Sequence, residues 1–323
     1  MCTALSYNTT NHYFGRNLDI EYTLGETVTI MPRNYPINYL HLGIIGSHYA
    51  VIGMAYVVDK YPLFYDAANE KGLCIAALSF PSFAQYFEHK KNCTNISSFE
   101  FIPWVVSNCA TVDEAEGFIG QINITNDNFS DELKATSLHW MISDSRRSIV
   151  VESTRSGLKV YNNPVGVLTN SPDFPYHLFT LNNYMSLSSK QVINNFSTKL
   201  SLDAYSRGMG AIGLPGDLSS NSRFVKAAFT KMNSVCGTTE SESISQFYHI
   251  LTSVEQQKGC VMVDDKYEYT VYSSCINATK GIYYYSTYQN RGITAVDMHR
   301  ENLDGDTLVS YPLIKGEQIF MQN

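Results

Sequence analysis

The chain has 323 residues, of which 44% are hydrophobic, and a formal net charge of -7. This length and apolar content predict one domain over residues 1–323 with a large buried core. The negative charge and the absence of a Lys/Arg block or zinc-finger spacing exclude the common nucleic-acid-binding classes, and no apolar run near 18 residues predicts a membrane span.

Cys2 becomes the first residue if Met1 is removed, and it then carries both a thiol nucleophile and a free α-amine. A free α-amine has an ordinary pKa of about 7.7 to 8.0, so near neutral pH it can accept the thiol proton. A distant histidine is then unnecessary. A cysteine at the second position can also be an accident of the start of the chain, so its neighbours decide between these interpretations.

The residues after Cys2 predict two short strands around the polar turn at 8–11. Such a hairpin would return Arg16 and Asp19 to the side of residue 2. A guanidinium favours the ionised sulfur, and a carboxylate can hold the amine through a charge-assisted hydrogen bond. The alternative is a surface ion pair worth about 0 to 1 kcal/mol.

Strand-like and helical segments alternate in blocks along the rest of the chain. Strands are predicted at 49–58, 73–80, 148–152, 267–273 and 282–288. Helices are predicted after the capping signals at Ser97 and Thr111, and at 222–234 and 241–256. This order predicts a layered α+β fold and not a parallel βαβ array.

Three other patterns carry less weight. The run of glycines at 208–213 matches a dinucleotide fingerprint by spelling, but the following Leu214-Pro215-Gly216-Asp217 continues a loop where that fingerprint requires a helix. A tight loop leading to Arg223 is the better interpretation. The eight histidines show no metal-ligand spacing, so neither a metal nor another cofactor is predicted. The seven cysteines contain no Cys-x-x-Cys pair and are odd in number, which fits a reducing cytoplasm better than a disulfide framework.

Several motifs occur together in a fixed order along nearly the whole chain. They are Met-Cys-Thr at the start, Phe14-Gly15-Arg16-Asn17-Leu18-Asp19, Asn69-Glu70-Lys71-Gly72-Leu73, Leu138-His139-Trp140, the segments 166–172 and 213–217, and Ser222-Arg223-Phe224. In this respect the chain resembles the choloylglycine hydrolase family, and within it the bile salt hydrolases, with penicillin V acylases as close relatives.

The resemblance implies an N-terminal-nucleophile hydrolase with an αββα sandwich, in which two stacked antiparallel sheets lie between helical layers. It implies a mature chain that starts at Cys2 and cleaves the amide bond of glycine- or taurine-conjugated bile salts in the bacterial cytoplasm, as a homotetramer. Cys2, Arg16 and Asp19 would form the nucleophilic centre, Asn170 and the backbone of Ser79 would bind the oxyanion, and Arg223 would be a second active-site arginine. Without the resemblance, Asn170 in Asn-Ser-Pro would be read as a turn residue.

Ser79 departs from the family pattern, in which bile salt hydrolases usually carry Asn and penicillin V acylases usually Tyr. The family contact at this position comes from a backbone N–H, which serine also supplies. Serine at this position is therefore expected to preserve catalysis. The preference between bile salts and penicillin V is not decided by the sequence. The alternatives are a penicillin V acylase and a non-catalytic steroid-binding relative. The resemblance places the apolar pocket in loops near 18–24, 61–65 and 133–138, with these expected lining residues: Leu18, Tyr22, Leu24, Phe64, Leu133 and Leu138.

Overall fold

The structure is a computed structural model that describes residues 1–323. In chain order its strands are β1 (Cys2–Asn8), β2 (His12–Ile20), β3 (Thr27–Met31), β4 (Ile37–Tyr39), β5 (Gly43–Ile45), β6 (Val51–Val58), β7 (Tyr61–Asn69), β8 (Cys74–Ser79), β9 (Thr94–Ser97), β10 (Ile122–Thr125), β11 (Leu138–Ser143), β12 (Ser148–Thr154), β13 (Gly157–Asn162), β14 (Val167–Leu168), β15 (Val261–Val263), β16 (Lys266–Asn277), β17 (Ile282–Thr287), β18 (Asn290–Asp297) and β19 (Val309–Pro312). The α-helices are α1 (Phe101–Asn108), α2 (Val112–Ile119), α3 (Phe174–Thr180), α4 (Ser220–Asn233) and α5 (Glu240–Thr252).

Most strands belong to two antiparallel sheets. The first, called here the thiol sheet because it begins with Cys2, has the order β14-β1-β2-β16-β17-β18, with β15 paired to β16. The second, called the outer sheet, has the order β13-β12-β11-β8-β7-β6-β3-β19. The two strands that carry the N-terminal hairpin, β1 and β2, therefore lie inside the thiol sheet and not at its edge.

Alternation of side chains along the strands divides the core into two clusters. One cluster of 39 buried residues joins the facing sides of both sheets to α4 and α5, which pack on the thiol sheet. The other, of 26 residues, lies between the outer sheet and the layer that contains α1 and α2. This arrangement of helix, sheet, sheet and helix confirms the predicted αββα sandwich.

The predicted elements agree with the structure except near their ends. Ser97 and Glu100 form the capping box expected before α1, and the Thr111 side chain accepts from the backbone N–H of Glu114 at the start of α2. The helix predicted to end at 256 ends at Thr252 instead. The backbone of Gln256 exchanges hydrogen bonds with Thr270, at 2.9 and 3.0 Å, so tertiary contacts with β16 replace the last helical turn.

The glycine-rich segment 208–213 forms a loop with one short 3-10 turn, as the sequence predicts. Gly208 and Gly213 have φ angles of 80° and 97°, a region that favours glycine. The loop continues to Ser219, and α4 then carries Arg223 in its first turn. None of the helices has the length and apolar content that crossing a bilayer requires.

Candidate active site

Cys2 lies at the start of β1, directly opposite Leu18 of β2. The hairpin thus brings Arg16, two residues before Leu18, to the thiol, and Nη2 of Arg16 donates a hydrogen bond to Sγ of Cys2. The two residues are only 2% and 1% exposed. The alternative of a surface ion pair is therefore excluded for Arg16, because its guanidinium is inside the protein and faces sulfur.

Arg16 is held by acceptors from the opposite sheet. Its Nη1 donates to the carbonyl oxygens of Tyr65, at 3.2 Å, and of Ala77. Burial acts to lower the pKa of Arg16, but the Cys2 sulfur, Tyr272 and the carboxylate of Asp66 outweigh it and raise the pKa above its ordinary value. The guanidinium is therefore a fixed positive charge beside the thiol.

Asp66 is a part of this site that the sequence analysis did not identify. It is fully buried and accepts hydrogen bonds from the hydroxyls of Tyr272, at 2.6 Å, and Tyr283, at 2.7 Å. Burial raises the pKa of Asp66, while Arg16 and these hydroxyls act to lower it. The only available signal was an acidic residue in an otherwise apolar strand segment, which does not reveal contacts with strands more than 200 residues away.

Asp19 lies next to the chain terminus. Its backbone carbonyl accepts from the α-ammonium of Met1 at 2.6 Å, and its Oδ1 accepts from the Thr270 hydroxyl at 2.6 Å. Oδ2 is buried without a hydrogen-bond partner and lies 3.9 Å from Nη1 of Arg223. Burial raises the pKa of Asp19, although Arg223 opposes this shift.

Asn170 follows β14 and reaches the backbone of Cys2. Its Oδ1 accepts from the backbone N–H of Cys2 and from Nη2 of Arg223, both at 2.7 Å. These two donors fix the orientation of the side-chain amide, because its nitrogen must then be the atom that donates to the Ser79 carbonyl at 2.8 Å. An amide nitrogen has two hydrogens, so one remains for a ligand.

Arg223 completes the contacts around the first residues of β1. Its Nη1 donates to the carbonyl oxygen of Cys2 at 2.5 Å and to the Thr3 hydroxyl at 2.7 Å. Burial lowers the pKa of Arg223, while Asp19 acts to raise it. Arg223 thus orients the backbone of Cys2 and does not hydrogen-bond its sulfur.

Ser79 ends β8, opposite Leu138 of β11. The next N–H, that of Phe80, donates to the Ser137 carbonyl at 2.8 Å. Because successive N–H groups of a strand point to opposite sides, the N–H of Ser79 points away from β11. On that side β7 pairs with β8 only as far as Asp66 and Ala76, so the strands have separated at Ser79.

The structure disperses the residues expected to line a substrate pocket. Leu18 is buried opposite Cys2, Tyr22 and Leu24 are exposed, and Leu133 and Leu138 are half-buried. Phe64 is buried in the cluster between the outer sheet and α1, on the side away from the thiol. Its neighbour Tyr65 packs against the other cluster, which contains Cys2.

A cavity of about 860 Å³ lies away from the thiol. Its walls include the aromatic rings of Tyr61, Phe99 and Phe129 and the turn residues Asp59 and Lys60. It touches the expected pocket loops only at Tyr61 and includes none of the six residues predicted for catalysis. The residues predicted for catalysis therefore meet at a different place from this cavity.

Two stacked sheets between helical layers, with a buried thiol at the start of a central strand, define the N-terminal-nucleophile hydrolase fold. The chain belongs to the family described as linear amide C–N hydrolases, choloylglycine hydrolase family, which it matches over residues 2–311. It is 53% identical to the "Bile salt hydrolase/transferase" of Lactiplantibacillus plantarum, with 100% of each chain covered.

Solved structures give the same result. The conjugated bile acid hydrolase of Clostridium perfringens superposes with a TM-score of 0.93 at 39% identity, with 100% of both chains covered. A penicillin V acylase from Agrobacterium tumefaciens has a TM-score of 0.73 at 21% identity, with 96% of this chain and 90% of that chain covered. The second similarity concerns the fold alone.

Proposed function

We propose that the protein is a bile salt hydrolase that cleaves the amide bond between a steroid acyl group and glycine or taurine. The observation that carries the proposal is the contact between the Cys2 thiol and a buried guanidinium, with Asn170 at the Cys2 backbone nitrogen. The 53% identity to a bile salt hydrolase/transferase supports the substrate class.

In the proposed first step, the Cys2 thiolate attacks the carbonyl carbon of the conjugate. The second N–H of the Asn170 side chain and the backbone N–H of Ser79 stabilise the oxyanion. The α-amine of Cys2, which has taken the thiol proton, gives it to the departing nitrogen. The C–N bond breaks, the free amine leaves and a thioester remains on Cys2.

In the second step, water attacks the thioester. The α-amine of Cys2 accepts a proton from this water, the C–S bond breaks, and the bile acid leaves. Arg16 stabilises the thiolate at both ends of the cycle. Since every proton transfer passes through one amine, this mechanism requires that Met1 be absent from the mature enzyme.

Contacts at the terminus support the removal of Met1. The Met1 ammonium lies 2.8 Å from Oε1 of Glu268, in addition to its contact with the Asp19 carbonyl. A new ammonium on Cys2 would remain beside Oδ1 of Asn170. The site can therefore accept a positive charge on either residue.

A direct comparison of rates on glycocholate, taurocholate and penicillin V tests the proposal. A bile salt hydrolase releases glycine or taurine faster than it cleaves the side-chain amide of penicillin V, and Cys2→Ala should abolish both. The penicillin V acylase alternative requires the reverse order. A burst of amine release would exclude a non-catalytic steroid-binding relative.

Acyl transfer is a second candidate activity, because two relatives are named "Bile salt hydrolase/transferase". A thioester reacts with amines as well as with water, so a free amino acid that reached the acylated Cys2 would form a new amide. Adding hydroxylamine during glycocholate turnover tests this route. A bile acid hydroxamate that forms at the expense of free bile acid would support it, and unchanged product would exclude it.

We also propose that residues 1–323 act as one domain in a homotetramer in the cytoplasm. The large inner cluster joins β1 to helices near residue 250, which supports a single domain. All seven cysteines are free thiols, which suits a reducing compartment. The segment between α3 and α4 exposes many large apolar side chains, which suits an interface between copies. They are Met185, Ile193, Phe196, Leu200, Leu202, Tyr205 and Ile212.

A further inference from the structure

The backbone around Asn170 is held at three consecutive polar atoms by hydrogen bonds to side chains. The Thr169 carbonyl is 2.8 Å from Nε2 of His139, and the Asn170 carbonyl is 2.8 Å from Nε2 of His177. Between them, the N–H of Asn170 donates to the Ser220 hydroxyl at 2.8 Å. Both histidines are fully buried. This short segment follows the two-residue strand β14, so these side chains supply the support that regular pairing does not.

The protons on these rings follow from their partners. A carbonyl oxygen only accepts, so Nε2 must carry the proton in both histidines. Burial lowers the pKa of His177, which is therefore neutral near pH 7 with its proton on Nε2. Each ring has one defined donor aimed at the backbone beside Asn170.

His139 also contacts the residue next to the second predicted oxyanion donor. Its ring stacks on Phe80 with the ring centroids 4.2 Å apart and an angle of 6° between the planes. Phe80 directly follows Ser79, whose N–H is the other proposed donor. One histidine ring thus touches the residue next to each donor, Thr169 on one side and Phe80 on the other.

Glu152 holds the His139 ring in place. Its Oε1 lies 3.0 Å from Nδ1 of His139 and accepts from the Phe174 N–H at the start of α3, also at 3.0 Å. His139 and Glu152 are 0% exposed. The carboxylate connects the ring to the chain that follows Asn170, so the loop is fixed on both sides of the oxyanion residue.

We propose that His139 and His177 are positioning residues that hold the Asn170 amide and the Ser79 N–H in the geometry of the oxyanion hole. They act through the backbone and touch neither the thiol nor the substrate. The inference rests on the proposed amidase function of Cys2 and Asn170. An oxyanion hole works only when its donors are already in place, and a displacement of about 1 Å can cost about a hundredfold in rate.

Ring-conserving substitutions test the proposal. His177→Phe keeps a ring against Phe224 but removes the donor to Asn170, whereas His177→Gln keeps an N–H at a similar reach. We expect His177→Phe to lower kcat on glycocholate by about ten- to a hundredfold with KM little changed, and His177→Gln to recover most of that loss. His139→Phe and His139→Gln should behave in the same order.

His12→Phe is the matched control. His12 is also a buried histidine, but its Nε2 faces the hydroxyls of Ser6 and Ser143, at 3.2 and 3.1 Å, and not the Asn170 segment. This variant should lose stability without losing kcat. The rate of Cys2 alkylation by iodoacetamide should stay unchanged in all variants, because the contact with Arg16 is intact. Equal kcat in His177→Phe, His139→Phe and His12→Phe would overturn the proposal.

A spectroscopic measurement separates this inference from the proposed function. In protein labelled with ¹⁵N-asparagine, the side-chain amide signals of Asn170 are identified by their loss in Asn170→Ala. They should shift or broaden in His177→Phe and His139→Phe and stay in place in His12→Phe. Unmoved signals would overturn the positioning role even if the enzyme proved inactive on bile salts, while inactivity of the wild type would overturn only the proposed substrate.

Discussion

Two arginines contact Cys2, one with its guanidinium at the sulfur and the other with its guanidinium at the backbone carbonyl oxygen. Arg16 donates a hydrogen bond to Sγ of Cys2, whereas Arg223 donates one to the carbonyl oxygen of Cys2. A guanidinium remains charged at any relevant pH, so the first favours the thiolate and the second fixes its direction. The two arginines should therefore differ in what they contribute to reactivity.

Arg16→Gln tests the electrostatic part of this arrangement. Loss of the charge should reduce the thiolate fraction, so alkylation of Cys2 by iodoacetamide should slow at neutral pH and kcat should fall by about a hundredfold or more. Asp19→Asn should lower kcat comparably. Arg146→Gln is the control, because Arg146 is 61% exposed and pairs with surface carboxylates. Unchanged alkylation and turnover in Arg16→Gln would contradict the role given to Arg16.

Ser79 and Asn170 contribute different atoms to the same task. The proposed donor of Ser79 is its backbone N–H, so Ser79→Ala should retain the best rate. Asn170→Ala should lower kcat by about two to three orders of magnitude, as expected for one oxyanion donor. Ser79→Asn should change the relative kcat/KM among bile salts and penicillin V by an amount worth about 1 to 3 kcal/mol. A Ser79→Ala enzyme as inactive as Asn170→Ala would show that the hydroxyl takes part in the chemistry.

Strand β2 passes very close to β16 at the residue before Arg16. A Cβ on Gly15 would lie 2.0 Å from the Ser274 carbonyl oxygen, so only glycine fits at this point of the thiol sheet. The next residue is Arg16, whose N–H donates to the Ser274 hydroxyl at 3.1 Å. The glycine therefore sets the distance between two central strands next to Arg16.

Gly15→Ala should destabilise the protein by about 1 to 3 kcal/mol, the cost of overpacking a filled core. Gly117→Ala is the matched control, since a Cβ on Gly117 of α2 meets no atom within 4 Å. This change inside a helix should stabilise the protein by about 0.5 to 1 kcal/mol. Urea unfolding measures both variants. Equal stability of the two variants would contradict the close approach of β2 and β16.

The sequence was most informative where local rules apply. The caps at Ser97 and Thr111 and the hairpin that returns Arg16 to Cys2 depend on neighbouring residues and were predicted. Asp66, Thr270 and the histidines at 139 and 177 were not identified, because their roles arise from contacts between distant strands and loops. The family motifs contained His139, but no local rule connects it to Thr169 or Glu152.

The segment between α3 and α4 is irregular and exposes apolar side chains. Phe196 is 80% exposed, Ile193 77% and Tyr205 86%. Exposed apolar groups concentrated in one segment are typical of an interaction surface, and the proposed homotetramer would place a second copy of the chain against it. The same segment leads into α4, which carries Arg223.

Sedimentation of the purified protein should show a tetramer at micromolar concentration. The double variant Ile193→Asp and Phe196→Asp should dissociate it, because charges would be buried without partners at the interface. Phe320→Asp is the control, because Phe320 lies in the C-terminal tail and is also highly exposed, at 89%. This change should leave the tetramer intact. A wild-type monomer, or a double variant that stays tetrameric, would contradict this assignment.

The proposed mechanism requires a mature chain that starts at Cys2 and carries the steroid acyl group on that residue. Mass spectrometry of the enzyme, quenched with acid during turnover of glycocholate and digested, tests it directly. The predicted result is an N-terminal peptide that begins at Cys2 and is heavier by one cholyl group, and that is absent from Cys2→Ala. Active enzyme whose N-terminal peptide still begins at Met1, or a cholyl group attached to another residue, would contradict the mechanism.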